Sequence, residues 1–352
     1  MNDSVSSASS ARAAAVPALS PNVALAGGVG LCLVIALIAE YVAQFIPLIG
    51  APIIAIAFGV VLTNLAGQAR VATPLRIKEV SGYALRGGII LLGATLNLRD
   101  VVASGATSLP LLALTITLGL AFPLLVGRAF GVHWRMRCLI GMGTTICGAS
   151  AIAALAPVLK AKTEEIAYSI SVIFFFNMLA VIIFPTLGHW LHLSDDGFGM
   201  WSGTAVNDTS AVVAAGFAYS HDAGVYATIV KLTRTTLIIP LVLGFGLAMP
   251  WIDPEHAAGP SHLGARIKKA IPWFIALFIL TSLINTLGFV PWPGQIQDFA
   301  RFVLVVALAA VGMQAHWRAF AGAGVGPLML GLGTWFVVAA SSLAVQAWTH
   351  MM

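Results

Sequence analysis

Two stretches of the chain say nearly the same thing: "GTTICGASAIAA" at Gly143–Ala154 and "GTAVNDTSAVVA" at Gly203–Ala214. Five of the twelve positions are identical, and two more exchange Ile for Val. Both phrases combine glycine, short hydroxyls and apolar residues inside oily surroundings, and only the second contains an acid, Asp208. A continuous helix is a poor host for "TTICGAS", because Gly is permissive and Thr and Ser compete with the backbone for hydrogen bonds. In a bilayer, broken backbone is tolerated only where protein or a water-filled cavity satisfies it. The phrases therefore predict two interrupted helices that meet in the membrane interior and build one site from two sides.

The surroundings support a membrane reading. Of 352 residues 59% are hydrophobic and 9% charged, against about 25% charged in a soluble domain. So little charge cannot coat a soluble protein of this length. Eleven apolar stretches stand out: Val23–Phe45, Ile49–Leu65, Tyr83–Leu98, Gly105–Val126, Arg135–Leu159, Glu164–Leu187, Gly199–Tyr219, Ala223–Met249, Ile271–Phe289, Phe299–Gln314 and Gly324–Trp348. Several reach the roughly 20 residues a spanning helix needs. The expected fold is an all-α polytopic membrane protein of about 9–11 transmembrane helices, with inverted repeats and two discontinuous or re-entrant helices meeting at mid-membrane. Residues 1–22, small and polar, read as a disordered cytoplasmic tail, and residues 23–352 as a single integral membrane transporter domain.

Charge sets the orientation. Arg70, Arg76 and Lys78 share one loop, Arg128, Arg135 and Arg137 another, and Arg266, Lys268 and Lys269 a third. The positive-inside rule puts these loops and the N-terminus in the cytoplasm, which also explains the net charge of +5 without nucleic acid. The first phrase is flanked by Arg135 and Arg137 before it and Lys160 and Lys162 after it; the second by Asp195 and Asp196 before it and Asp222 after it. Like charge on both flanks suits a hairpin that returns to its own side. Two full crossings, each broken in the middle, are the alternative. Opposed hairpins are the inverted-repeat arrangement of many secondary transporters. A weaker echo between Leu91–Leu112 and Ala307–Leu330 points the same way.

Chemistry concentrates around the phrases. Thr144, Thr145, Gly148 and Ser150 form one expected half-site, with Cys147 between them; Asn207, Asp208, Thr209 and Ser210 form the other. A carboxylate amid apolar sequence is costly and marks function by default. Lys231 and Arg234, three residues apart on one helical face, are its expected partners. One acid with two bases leaves a net positive charge suited to an anion. The plainer account is close packing of small residues and a structural ion pair, which leaves the third charge unexplained. Arg86 and Glu40 read as snorkelling residues and Glu164 and Glu165 as a helix-start pair. Three cysteines and eight histidines show no metal or disulfide spacing. No acid–base–nucleophile set suggests an enzyme, and no cofactor is expected beyond coupling to H+ or Na+.

At "LLGATLNLRD", "CGASAIAA", "GTAVNDTSAVVAAG" and "KLTRTTLIIPLVL" the chain resembles the YeiH-like family of bacterial inner-membrane proteins, often labelled sulfate exporters. The resemblance runs from about Val23 to the C-terminus. It implies the architecture of the wider group of cation–proton antiporters and bile-acid symporters, and export of a small anion such as sulfate or a sulfonate across the inner membrane. A sodium–proton antiporter with Asp208 as carrier is the alternative. A homodimer is compatible with the resemblance. Members often carry His beside the acid, where this chain has Asn207, which puts the family's coupling chemistry in question here.

Overall fold

The computed structural model describes residues 20–45, 50–67, 71–252, 273–314 and 324–349. Most of the expected tail, Arg70, the Arg266–Lys269 cluster and residues 315–323 in the middle of the weaker echo lie outside the described residues. Regular structure among the described residues is helical: α1 Pro21–Ala43, α2 Ala51–Ala66, α3 Ile77–Gly93, α4 Leu98–Val126, α5 Trp134–Thr145, α6 Ala149–Leu155, α7 Thr163–Trp190, α8 Asp195–Ala205, α9 Thr209–Tyr219, α10 His221–Thr236, α11 Ile238–Ile252, α12 Trp273–Thr286, α13 Pro293–Gly312 and α14 Val325–Thr349. The protein is an all-α polytopic membrane protein. Among the described residues six spans are long and apolar enough to cross a bilayer: α1, α4, α7, α10 with α11, α13 and α14.

Local chemistry sets the helix starts. Proline opens α1, α2 and α13, where its missing N–H costs nothing. The Asn97 side chain accepts from Arg99 N at 2.9 Å and caps α4. α3 begins at Ile77 and α4 at Leu98, earlier than the expected Tyr83 and Gly105, because each runs its polar first turn past the edge of the apolar stretch.

The helices form two groups. In the first, α13 packs along α2 and α3, with α1 and α12 on the outside. Gly59 of α2 faces the backbone of Ala309 and Met313, and Gly312 faces the backbone of Ile56, so neither position has room for a Cβ. Small residues let membrane helices approach this closely. The second group holds α4, α7, α10 and α14 around the two interrupted segments. The groups meet where Val213, Ile229 and Leu232 pack with Ile89, Leu92, Ile275, Phe278 and Leu304.

Both phrases fold as re-entrant hairpins. At the mouth of the first, His133 Nδ1 lies 2.9 Å from Glu165 Oε1, joining the start of α5 to the start of α7. Ile152 of α6 folds back against Gly143 of α5. At the mouth of the second, Ser220 Oγ donates to Asp195 Oδ1 at 2.5 Å and Tyr219 Oη donates to Leu193 O. α7 links the two mouths with 28 residues, about 42 Å at 1.5 Å per residue. The hairpins therefore enter from opposite faces. With the shorter helices α2, α3 and α12 counted as crossings too, alternation places Arg76, Lys78, Arg128, Arg135, Arg137, Lys160 and Lys162 on the face where the first hairpin opens. Glu40, Asp100, Asp195, Asp196, Asp222 and Asp298 lie on the other, with Arg99 and Arg301.

Aromatic packing fixes the second hairpin. Phe184 of α7 stacks on Trp201 of α8 at 4.1 Å, and Phe198 stacks on Tyr219 at 4.0 Å. Trp201 Nε1 donates to Ala339 O of α14 at 3.1 Å. The first hairpin buries Leu139, Met142 and Ile146 with Ile152, Leu155 and Ile173.

Candidate functional site at the crossing of two re-entrant tips

The tip of the first hairpin is Ile146, Cys147 and Gly148. Gly148 has φ +68° and ψ −130°, a conformation only glycine adopts without strain. A Cβ there would stand 3.6 Å from Cβ of Asp208, so the two tips meet. The tip of the second hairpin is Val206 and Asn207, both buried, followed by Asp208 as the cap of α9. Asp208 Oδ2 accepts from Ser210 N at 3.0 Å and from Ser210 Oγ. Asn177 of α7 accepts from Asp208 N at 2.9 Å through its Oδ1.

Each interruption leaves carbonyls at the end of a half-helix, and these ends carry partial negative charge. Two cations of α10 cover them. Lys231 Nζ donates to Ile146 O at 2.6 Å, to Val206 O at 3.0 Å and to Asn207 O. Arg234 donates to Thr145 O through Nε and to Thr144 O at 2.7 Å through Nη2. Its Nη1 lies 3.3 Å from Val206 O and 3.4 Å from Gly203 O. Both side chains are 0% exposed. One helix thus stitches both tips together through side chains that reach backbone oxygen. This corrects the expected partnership: neither base is ion-paired with Asp208. The physical reason is that half-helix carbonyls in a dry interior need cationic donors, while the carboxylate caps its own helix.

A cavity of about 520 Å³ reaches the crossing from the side, between α2 and α13 of one group and α7 and α9 of the other. Among the described residues Asp208 is the one ionisable side chain on its lining, and Asn177, Ser171, Ser210 and Gln314 are the uncharged polar ones. A second cavity of about 490 Å³ lies near the mouth of the second hairpin, with Glu40, Asp298 and Arg301 on its wall.

Residues 27–331 match the family model described as conserved hypothetical protein 698. The chain belongs to this family. It is 40% identical over 328 residues to a UPF0324 membrane protein of Streptococcus mutans, covering 91% of this chain and 96% of that relative. A UPF0324 membrane protein of Streptococcus pneumoniae is 39% identical over 335 residues, and one of Streptococcus agalactiae 38% over 331, with the same coverage. No solved structure matches the chain significantly. For this family member the shared description is that of a membrane protein, so its chemistry has to come from the crossing itself.

All the sequence-derived site residues fall at or beside the tips, in different circumstances. Thr144 Oγ1 and both polar atoms of the Asn207 amide are buried with no hydrogen-bond partner. Thr145 Oγ1 is spent on Gly141 O at 2.7 Å. Ser150 is exposed and donates to Cys147 Sγ and Cys147 O, both at 2.9 Å, so the thiol is a buried acceptor. Thr209 and Ser210 occupy the first turn of α9 half-buried. Asn177 was missed by sequence reasoning; its signal is an amide in the apolar run "FFFNMLA".

Proposed function

We propose that the protein is a secondary transporter that moves a small anion of the sulfate or sulfonate kind through the crossing of its re-entrant tips, with Asp208 exchanging the coupled proton. One observation carries this reading. Two cations, Lys231 and Arg234, are fully buried at the crossing, and no carboxylate among the described residues is paired with them. Ion burial without a partner is costly. The carbonyl ends offset part of that cost, and an anion brought near would offset more. Asp208, open to the cavity, repels an anion when ionised and admits it when protonated, so anion and proton favour each other in the same state. The opposed hairpins agree with an inverted repeat, and the basic face on which the first hairpin opens agrees with a cytoplasmic N-terminus in a bacterial inner membrane.

A second reading is cation–proton antiport on Asp208. Its support is that Asp208 is the sole ionisable side chain on the 520 Å³ cavity among the described residues, while the donors of Lys231 are taken by carbonyls. Proteoliposomes separate the two. The anion reading predicts labelled sulfate or methanesulfonate flux that rises as pH falls, and loss of that pH dependence in Asp208→Asn. Absence of flux for both anions, with sodium-driven pH change that disappears in Asp208→Asn, would replace it by antiport.

A further inference from the structure

We infer that the transported anion carries an apolar body, as an alkyl- or arylsulfonate does, with the cavity beside Asp208 as its seat and inorganic sulfate a poor substitute. The inference rests on the anion reading above and adds the class of solute. The walls decide it. Ile53, Ile56 and Val60 of α2 face Phe174, Met178 and Val181 of α7 across a space of about 520 Å³. That volume lies within the usual range for organic ligands, and mainly apolar walls with a few convergent polar groups are what such ligands use.

The polar groups are few, and most are already engaged. Ser171 Oγ donates to Ala167 O at 2.9 Å, Gln314 Nε2 to Ala310 O at 3.1 Å and Ser210 Oγ to Asp208. Asn177 holds Asp208 N through its Oδ1, which leaves its Nδ2 for a head group. A sulfate dianion needs donors around four oxygens to replace its water, and transfer of an unpaired ion into an apolar space is heavily disfavoured. A sulfonate needs fewer donors and places the rest of its surface against aliphatic walls. Its head would lie at the Asp208–Asn177 end with Asp208 protonated, on the side of the buried Lys231 and Arg234. The polar lining is Ser171 and Asn177 of α7, Asp208 and Ser210 at the start of α9 and Gln314 just past the end of α13, and the head is assigned to Asp208 and Asn177, which join across helices at 2.9 Å.

The test is a chain-length series in proteoliposomes: sulfate, methanesulfonate, butanesulfonate, hexanesulfonate and benzenesulfonate compete for labelled methanesulfonate flux. Sulfonates stay ionised across the usable pH range, so pH dependence reports the protein. Half-inhibition should improve by about fourfold per methylene until the chamber is filled, the ratio equivalent to ~0.8 kcal/mol for each CH2 buried. Ala57→Phe, which narrows the chamber from α2, should abolish the gain beyond butanesulfonate, read as the ratio of half-inhibition by hexanesulfonate to that by butanesulfonate in the variant against the same ratio in wild type. Flux that depends on Asp208 but is indifferent to chain length and to Ala57→Phe would overturn the inference and leave the anion reading standing. Phospholipid retained in the purified wild type and lost in Ala57→Phe, with no sulfonate competing, would also overturn it, as a lipid seat. Loss of all anion flux would sink the anion reading itself, a separate outcome.

Discussion

At the scale of single residues the crossing is held by Lys231. Its ammonium satisfies carbonyls from both tips, so it couples the two hairpins as well as neutralising them. Replacing it by Met keeps the stem and removes the donors. Each buried carbonyl left without a donor costs ~1–3 kcal/mol. Lys231→Met should therefore insert in the membrane, lose transport and unfold several degrees below wild type, whereas Lys160→Met, on the exposed loop after α6, should match wild type in both. Thermal unfolding and flux on the same preparations check this; wild-type flux in Lys231→Met would remove the base from the site. The acid and the bases stood out in the sequence as charge in apolar surroundings, but their partners did not. Lys231 and Arg234 bond to backbone oxygens, which every residue possesses and no sequence marks. Asn177 was hidden for a related reason: one amide in an oily run looks incidental until Asp208 N is found against it.

At the scale of elements the two phrases act through their ends. A broken crossing would leave opposite flanks on opposite faces; here His133 reaches Glu165, and Ser220 reaches Asp195. The like charges on the flanks, basic around the first phrase and acidic around the second, made this geometry legible. The starts of α3 and α4 were less legible, because helical structure continues through polar turns that end an apolar stretch. Labelling tests the hairpin topology. The native cysteines are buried, so single Cys replacements of Lys160 and Asp196 give clean signals. Lys160→Cys should react with an impermeant maleimide only from the cytoplasmic face and Asp196→Cys only from the other. Arg128→Cys, which precedes the first hairpin, should follow Lys160→Cys. If Lys160→Cys and Arg128→Cys reacted from different faces, the first phrase would be a crossing.

At the scale of the whole molecule two helix groups, two opposed hairpins and a chamber between the groups come together. The chamber has α2 and α13 on one wall and α7 and α9 on the other, so movement of the groups would change its width and its access to either face. Composition made the membrane class evident, and the repeated phrase made the two interruptions evident. The chamber was not legible, since Ile53 and Met178 become neighbours only through packing. The most direct measurement is a cryo-electron microscopy map of the protein with 4-bromobenzenesulfonate at low pH. Density for the sulfonate head is expected beside Asp208 and Asn177, with the ring between α2 and α7. Density confined to the Glu40–Arg301 cavity, or a crossing with both tips sealed and the aliphatic chamber filled by lipid, would contradict it.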